Sequence, residues 1–495
     1  MSGINQRVRW AGAGACVLIL ALFTQLNYLQ VFHATALDNN PLNTRQVLAQ
    51  FSSPRGAIIS ADGATLAESV PSHDQYKYQR IYPEGPLFGQ LTGYFSLIYG
   101  TDGLEDEYSS QLSVANVPVT LPTNLREIRK FFTTEPAPDN VHLTVLSWLQ
   151  KVAASELAGR EGAVVALQPK TGAVLAMYSG PTYDPGPLAS HNSAVEEKAW
   201  AALRTNPGKP LLAAAYRQRF FPGSTFKIIT SAAVFDHKAK LAKQEVPVMT
   251  GLVLPDTAGL VLHNFAGEAC GGKLVQLFTV SCDTGFAKLG LEIGGPSLAE
   301  EANSFGWDQT PPLDLPGVAR SFFPSASSFY RNGGALAKSA IGQESVQAVP
   351  LTLALVAAGI ANGGAIMAPH LMASITGPQG QTITTYRPHP WLVATSKATA
   401  RDLTDLMLSV VQSPNGTGAE ARIPGVAVAG KTGTAQTGGP YIETWFVAFA
   451  PANNPQIAVA VLVEDQPPAN EYQGGTIAAP IARAVIEAYL QGHPA

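Results

Sequence analysis

The sequence predicts an α+β protein: a membrane anchor helix, a small strand-rich N-terminal domain, and a second domain built on a mostly antiparallel sheet covered by helices. Three observations carry this expectation. A long uncharged stretch follows Arg9, apolar strand-like runs stand at both ends of the second part, and segments of helical periodicity lie between them. At 495 residues the chain is also too long for one ordinary core, with about 150 residues per domain as a guide.

No charged residue lies between Arg9 and His33, and the segment 10–32 would span about 35 Å as a helix, enough to cross a hydrocarbon core of about 30 Å. Arg7 and Arg9 flank its amino side, and Asp38 is the first charge beyond it. The positive-inside rule therefore leaves residues 1–9 as a cytoplasmic tail and places the rest outside the cytoplasm. A cleaved signal peptide is the competing reading, because Ala34-Thr35-Ala36 fits small-residue processing and the fully apolar run, 11–23, is short. Both readings export the body. Leu26, Tyr28, Leu29, Val31 and Phe32 prolong the helix, which favours a retained single-pass anchor.

A polar linker, 38–50, leads to Gly56-Ala57-Ile58-Ile59-Ser60 and the turn Asp62-Gly63, the opening of a strand-rich domain assigned to 37–140. Two prolines and two acids within 135–140 mark its end, and the second domain takes 141–495. That domain begins with helical spacing over 145–157. Two apolar runs follow, 163–167 and 173–178, joined as a hairpin by Gln168-Pro169-Lys170-Thr171-Gly172. Helices are expected over 224–236, 274–291, 349–361 and 398–411, and a second strand pair over 444–450 and 457–463.

Composition narrows the function. Hydrophobic residues make up 46% and charged residues 14%, which excludes disorder driven by charge. The net charge is −4 with no basic stripe, so there is no footprint for a nucleic-acid backbone. Three cysteines rule out a disulfide-dense scaffold and a four-cysteine metal site, and the nine histidines show no ligand spacing. Neither a metal nor a cofactor is expected.

Phe221-Pro222-Gly223-Ser224-Thr225-Phe226-Lys227 starts a helix. Ser224 and Lys227 are three apart and share a helix face, and the serine sits where free backbone N–H groups favour developing negative charge. A nucleophile with its own base is therefore available, although a single S-x-x-K arises by chance in a chain of this length. Two further elements follow in order, Ser281-Cys282-Asp283 and Lys431-Thr432-Gly433-Thr434. Together the three resemble the active-site set of penicillin-binding proteins and serine β-lactamases. Arg55-Gly56, Asp62-Gly63, Leu66-Ala67, Tyr183-Asp184-Pro185, Ile341-Gly342-Gln343, Ala361-Asn362-Gly363-Gly364 and the strand Trp445 to Pro451 add to the likeness, which runs from about Arg55 to the carboxyl end. The pattern is most similar to short class B (monofunctional) penicillin-binding proteins of the actinobacterial type. An earlier K-T-G, Lys170-Thr171-Gly172, precedes the serine and is read as a hairpin turn. Asn362-Gly363-Gly364, Gly474-Gly475 and Tyr183-Asp184-Pro185 are likewise read as turns.

The resemblance implies a peptidoglycan D,D-transpeptidase that forms a serine acyl-enzyme with stem peptides and is blocked by β-lactam antibiotics. Ser224 would attack, and Lys227, kept neutral by desolvation and neighbouring positive charge, would take its proton. The backbone N–H groups of Ser224 and Thr434 would form an oxyanion hole. Ser281 and Lys431 would relay a proton to the leaving D-alanine, while Thr432, Gly433 and Thr434 would line the substrate strand, the two threonines holding its carboxylate. Asp283 stands where the family usually has Asn, a departure that alters one substrate contact and the protonation of Lys227. Asp283 either carries the proton itself in the substrate complex, which is favoured, or pairs with Lys227 and leaves Ser224 to another route. Cys270 and Cys282, in an exported domain, could close a small disulfide loop beside Ser281. A polytopic glycosyltransferase and other division or elongation proteins are the implied partners. A penicillin-binding hydrolase (β-lactamase or D,D-carboxypeptidase) and an inactive scaffold or sensor of the same fold are the alternatives.

Overall fold

The structure is a computed structural model that describes residues 2–32, 50–114, 137–467 and 473–492. Helix α1, Ser2–Phe32, covers the expected anchor and starts ahead of it. Its segment Gln6–Leu29 is long and apolar enough to cross a bilayer, and none of it is buried against the rest of the chain. The linker expected over 38–50 and the processing site 34–36 lie outside the described residues, except for Gln50.

The second domain is organised by a five-stranded sheet. Its strands are β1 (Gly162–Leu167), β2 (Val174–Gly180), β3 (Ala429–Gln436), β4 (Ile442–Ala450) and β5 (Ile457–Gln466), in the order β3-β4-β5-β1-β2. Every neighbouring pair is antiparallel. Burial on both faces explains why β1 and β5 read as unbroken apolar runs rather than alternating ones. On one face Val164, Ala166, Val459 and Val461 meet α2 (Ser147–Leu157) and the carboxy-terminal helix Ala479–Gly492. On the other, Val165, Val447, Ala460 and Leu462 meet a larger core that contains α3 (Lys227–His237), α4 (Asp283–Ile293) and α5 (Pro350–Ala361). Helix α5 has a proline in its first turn and no charged residue, as suits a helix buried from Pro350 to Ile360. The following α6 (Lys397–Gln412) is capped by Ser396, whose hydroxyl accepts from Thr399 N at 3.1 Å.

A second sheet binds the amino-terminal part to this domain. Its order is Thr382–Thr385, Met372–Thr376, Asn140–Leu143, Ile58–Ile59, Thr65–Pro71 and Tyr78–Ile81. Asn140–Leu143, at the expected boundary, is the shared strand: parallel to Ile58–Ile59 on one side and antiparallel to Met372–Thr376 on the other. Asp62, from the predicted turn, accepts from Ser147 N at 2.9 Å and Ser147 Oγ at 2.6 Å, so its carboxylate caps the positive start of α2. Beneath the sheet the buried Glu105 receives both Arg55 and Arg80.

The structure corrects one expected element. The helix over 274–291 is two, Leu274–Thr279 and α4, with a break in which Ser281 adopts φ 58°. The apolar spacing runs through the break, and a serine in the left-handed region carries no glycine-like signal.

Candidate active site

Ser224 lies in a single 3₁₀ turn, Gly223–Phe226, that leads directly into α3. Two glycines permit this turn. Gly223 has φ 50°, and a Cβ there would lie 2.6 Å from the Thr434 carbonyl oxygen of β3; at Gly342, φ 72°, a Cβ would lie 2.1 Å from the Gly223 carbonyl oxygen. The Ser224 turn is thereby pressed against the edge strand β3 on one side and the Ile341-Gly342-Gln343 segment on the other. Gly223 N donates to Gly342 O at 3.0 Å, and Trp445 Nε1 on β4 donates to Phe221 O at 2.9 Å.

Lys227, the first residue of α3, is fully buried and donates three hydrogen bonds: to Ser281 O (2.6 Å), Ser281 Oγ (3.2 Å) and Asp283 Oδ1 (2.7 Å). Three bonds are the whole capacity of an ammonium group. Burial lowers the Lys227 pKa, and the charge of Asp283 and its hydrogen bond act against that. Lys431, on β3 and also fully buried, donates to Ser281 Oγ at 2.8 Å and to Thr432 O at 3.0 Å. Burial first, and then the charge of Lys227, holds its pKa well below the ordinary lysine value. Ser281 Oγ thus stands between two buried amines, a position available only because the helix breaks at that residue.

Of the residues named from sequence, Ser224, Asp283 and Thr434 line one cleft of about 490 Å³. Lys227, Ser281 and Lys431 lie together as a network whose Asp283 end reaches that cleft. Thr432, next along β3, has its hydroxyl 2.7 Å from Thr417 Oγ1. Gly433 is a packing position, where a Cβ would lie 2.8 Å from Thr225 Cγ2 and 2.9 Å from Pro222 O. Cys270 and Cys282 are joined by a disulfide with Cα atoms 5.8 Å apart, tying the strand Cys270–Gly272 to the residue after Ser281. Lys170-Thr171-Gly172 sits at the far turn of the β1–β2 hairpin, with Lys170 reaching Asn454.

Sequence reasoning missed Asn264. Its side chain accepts from Thr284 N at 2.9 Å, donates to Met249 O and Glu268 O, and the residue lines the same cleft as Ser224. A lone Asn in a segment without periodicity gives no warning of such a role. Gly474 is more than a turn, since a Cβ there would lie 2.2 Å from Trp445 O and 2.4 Å from Gly433 O. It lets the chain pass close to the strand that carries Lys431.

Among the described residues no group of His, Cys, Asp and Glu is arranged to hold a metal ion. A half-buried serine at a helix start, two buried lysines and a second serine between them fit acyl transfer through a serine ester, and that is the class of protein this fold and cleft define. The comparison with known families agrees: residues 162–487 match the penicillin binding protein transpeptidase domain, and residues 55–125 match the penicillin binding protein A dimerisation domain. The chain belongs to the penicillin-binding protein transpeptidase family. It is 39% identical over 99% of its length to the peptidoglycan D,D-transpeptidase PbpA of Mycolicibacterium smegmatis, 99% of which is covered. It is 37% identical to PbpA of Mycobacterium tuberculosis, covering 99% of this chain and all of that one. Among solved structures, a ceftriaxone acyl-enzyme complex of penicillin-binding protein A from M. tuberculosis superposes with a TM-score of 0.81 at 36% identity, covering 90% of this chain and 100% of that one.

Proposed function

We propose that this protein is a membrane-anchored peptidoglycan D,D-transpeptidase that crosslinks stem peptides through an acyl-enzyme on Ser224 and is acylated at the same residue by β-lactams. The observation that carries this reading is the placement of Ser281 Oγ between Lys227 Nζ and Lys431 Nζ, behind a cleft lined by Ser224. In this reading it links the two amines that would handle the proton of Ser224 and that of the leaving group. The related D,D-transpeptidases and the acyl-enzyme complex support the same chemistry.

In this mechanism the Ser224 hydroxyl attacks the carbonyl between two D-alanines. Its proton goes to Lys227, which must first surrender one of its own, and the 2.7 Å bond to Asp283 is the direct route. Transfer along that bond leaves a neutral amine and a protonated carboxyl. The protonated Asp283 can then donate to a substrate carbonyl, as the amide usual at this position does. The backbone N–H groups of Ser224 and Thr434 receive the developing oxyanion, each such donor contributing on the order of 3 kcal/mol to the transition state. Ser281 and Lys431 return a proton to the departing D-alanine. Thr434 and Thr432 hold its carboxylate, Thr432 with its hydroxyl steadied by that of Thr417.

Labelling with a fluorescent penicillin, with release of the label timed, tests the proposal together with transfer of a D-Ala-D-Ala donor peptide to an amine acceptor. A stable adduct and an amide-linked product are expected. Fast release would indicate a hydrolase, and a stable adduct without transfer a sensor. The absence of any adduct would indicate a scaffold. The topology proposed with it is a single span by α1, with the catalytic domain outside the cytoplasm.

A further inference from the structure

The lobe that supplies part of the cleft is fastened at two points to the helix that carries Asp283. It consists of two small antiparallel ribbons, Val246–Met249 with Cys270–Gly272 and Gly251–Val253 with Val261–His263. One fastening is the Cys270–Cys282 disulfide. The other is Asn264, immediately after the second ribbon, whose Oδ1 accepts from Thr284 N at 2.9 Å. Asn264 is only 7% exposed, and its Nδ2 donates to Met249 O and Glu268 O, both at 2.8 Å. Both amide hydrogens are thereby spent inside the lobe, and the carbonyl side is turned to the start of α4.

That start lacks a cap of its own. Cys282 occupies the cap position, its sulfur is taken by the disulfide, and its side chain makes no capping hydrogen bond. Asp283 is the first helical residue and Thr284 the second. Thr284 is completely buried, so its N–H depends on a protein acceptor, and Asn264 provides it from 20 residues earlier in the chain. Aspartate is among the best capping residues. Without Asn264, shortening α4 by one residue would make Asp283 the cap and turn its carboxylate onto the N–H groups of the first turn, away from Lys227. The helix start and Lys227 therefore compete for one carboxylate. We infer that Asn264 is a positioning residue for acylation: by capping α4 from the neighbouring lobe it leaves the Asp283 carboxylate free to hold Lys227. The inference rests on the Ser224, Lys227 and Asp283 chemistry proposed above.

The consequence is a change in the form of the pH profile. The charged groups about Asp283 are Lys227, at 2.7 Å, and Lys431 beyond Ser281, while His263 lines the same cleft. With Asp283 on Lys227 the pair shares one proton, and acylation falls as rising pH removes it. With the carboxylate drawn to α4, Lys227 is a buried amine that has lost its counter-charge, and acylation rises with pH as the amine becomes neutral. Loss of Asn264 therefore imitates loss of the Asp283 carboxylate, although Asn264 touches neither lysine nor the reacting serine.

The test is the second-order rate of penicillin acylation from pH 5 to 9 for wild type, Asp283→Asn, Asn264→Ala and Asn264→Asp, with mass spectrometry locating the adduct. Asn264→Ala should acylate about tenfold or more slowly at pH 6.5, and its profile should rise with pH as that of Asp283→Asn does. Asn264→Asp keeps an oxygen for the Thr284 N–H and loses the two donors to the lobe, so it should retain the falling profile of wild type. A loss of general stability alone would lower the rate without exchanging one profile for the other. Thermal unfolding identifies an alanine variant that does not fold; Asn264→Ser, too short to reach Thr284 N, then takes its place, and a rising profile in Asn264→Asp overturns the proposal on its own. A folded Asn264→Ala variant with the wild-type profile also overturns it, as do coincident profiles for wild type and Asp283→Asn, which would leave Asn264 nothing to position. An adduct on a residue other than Ser224 would instead overturn the active-site assignment, and so the two failures are distinguishable.

Discussion

A serine that must be attacked by nothing and attack a carbonyl itself needs its proton removed on demand, and at the scale of single residues this site is an arrangement for doing so. Ser224→Ala removes the proposed nucleophile and should abolish covalent penicillin labelling. The thermal midpoint should stay nearly unchanged, since a hydroxyl at a helix start contributes at most about 1 to 2 kcal/mol. Asp283 is the proposed partner in this proton transfer. Its charge opposes the lowering of the Lys227 pKa by burial, so removing it leaves burial unopposed. Lys227 in Asp283→Asn then loses its proton at lower pH than in wild type. Acylation by that variant should rise with pH as the amine becomes neutral, whereas wild type, whose reactive pair shares one proton, should lose rate as that proton leaves; rates measured from pH 5 to 9 distinguish the two profiles. Identical profiles would make Asp283 a mere isostere of the usual amide.

At the scale of elements, two ties hold the parts in register. Glu105 is completely buried with Arg55 and Arg80 on its two oxygens. Burial alone would raise its pKa, but the two guanidiniums overcome that and hold it below the ordinary glutamate range. Glu105→Ala leaves both cations buried and unpaired, and chemical denaturation should show a loss of about 3 to 5 kcal/mol. The Cys270–Cys282 disulfide closes a short loop beside Ser281. Thiol titration of the unfolded, unreduced exported domain should find neither cysteine free, and replacing both should cost about 3 kcal/mol in the chain-entropy picture. The strands and most helices of the catalytic domain were legible from apolar runs and turn residues, because the sheet is covered on both faces and its strands carry that burial in their composition. The break at Ser281 was not, since Val280-Ser281-Cys282 continues the apolar spacing and the left-handed turn is imposed by packing. The same holds for the chemistry. Ser224, Lys227, Ser281, Asp283 and Lys431, which gather at the cleft and its adjoining network, could be picked out from their order and spacing, whereas Asn264 and Gly474 are placed by neighbours distant in sequence and leave no local mark.

For the whole molecule, α1 as a retained span predicts an intact amino terminus in membrane preparations, with external protease reaching the chain only beyond Asp38. A mature chain beginning near Leu37 would show a processed leader instead. The mixed sheet and the central sheet share a further property. Strand β1 finds its neighbour in β5, close to 300 residues later, and Asn140–Leu143 waits for Met372–Thr376. Loop closure over such a distance costs only about 5 kcal/mol by the logarithmic rule, so the finished fold tolerates it, but assembly is ordered in time. With the proposed topology, a chain translocated in the order of its sequence behind a cytoplasmic tail presents the β1–β2 hairpin with a bare apolar edge until β5 follows. Biogenesis of this protein is therefore exposed to strand capture by other nascent chains until its last strand arrives, and a product truncated before residue 457 is aggregation-prone material for a protease rather than a partly working enzyme.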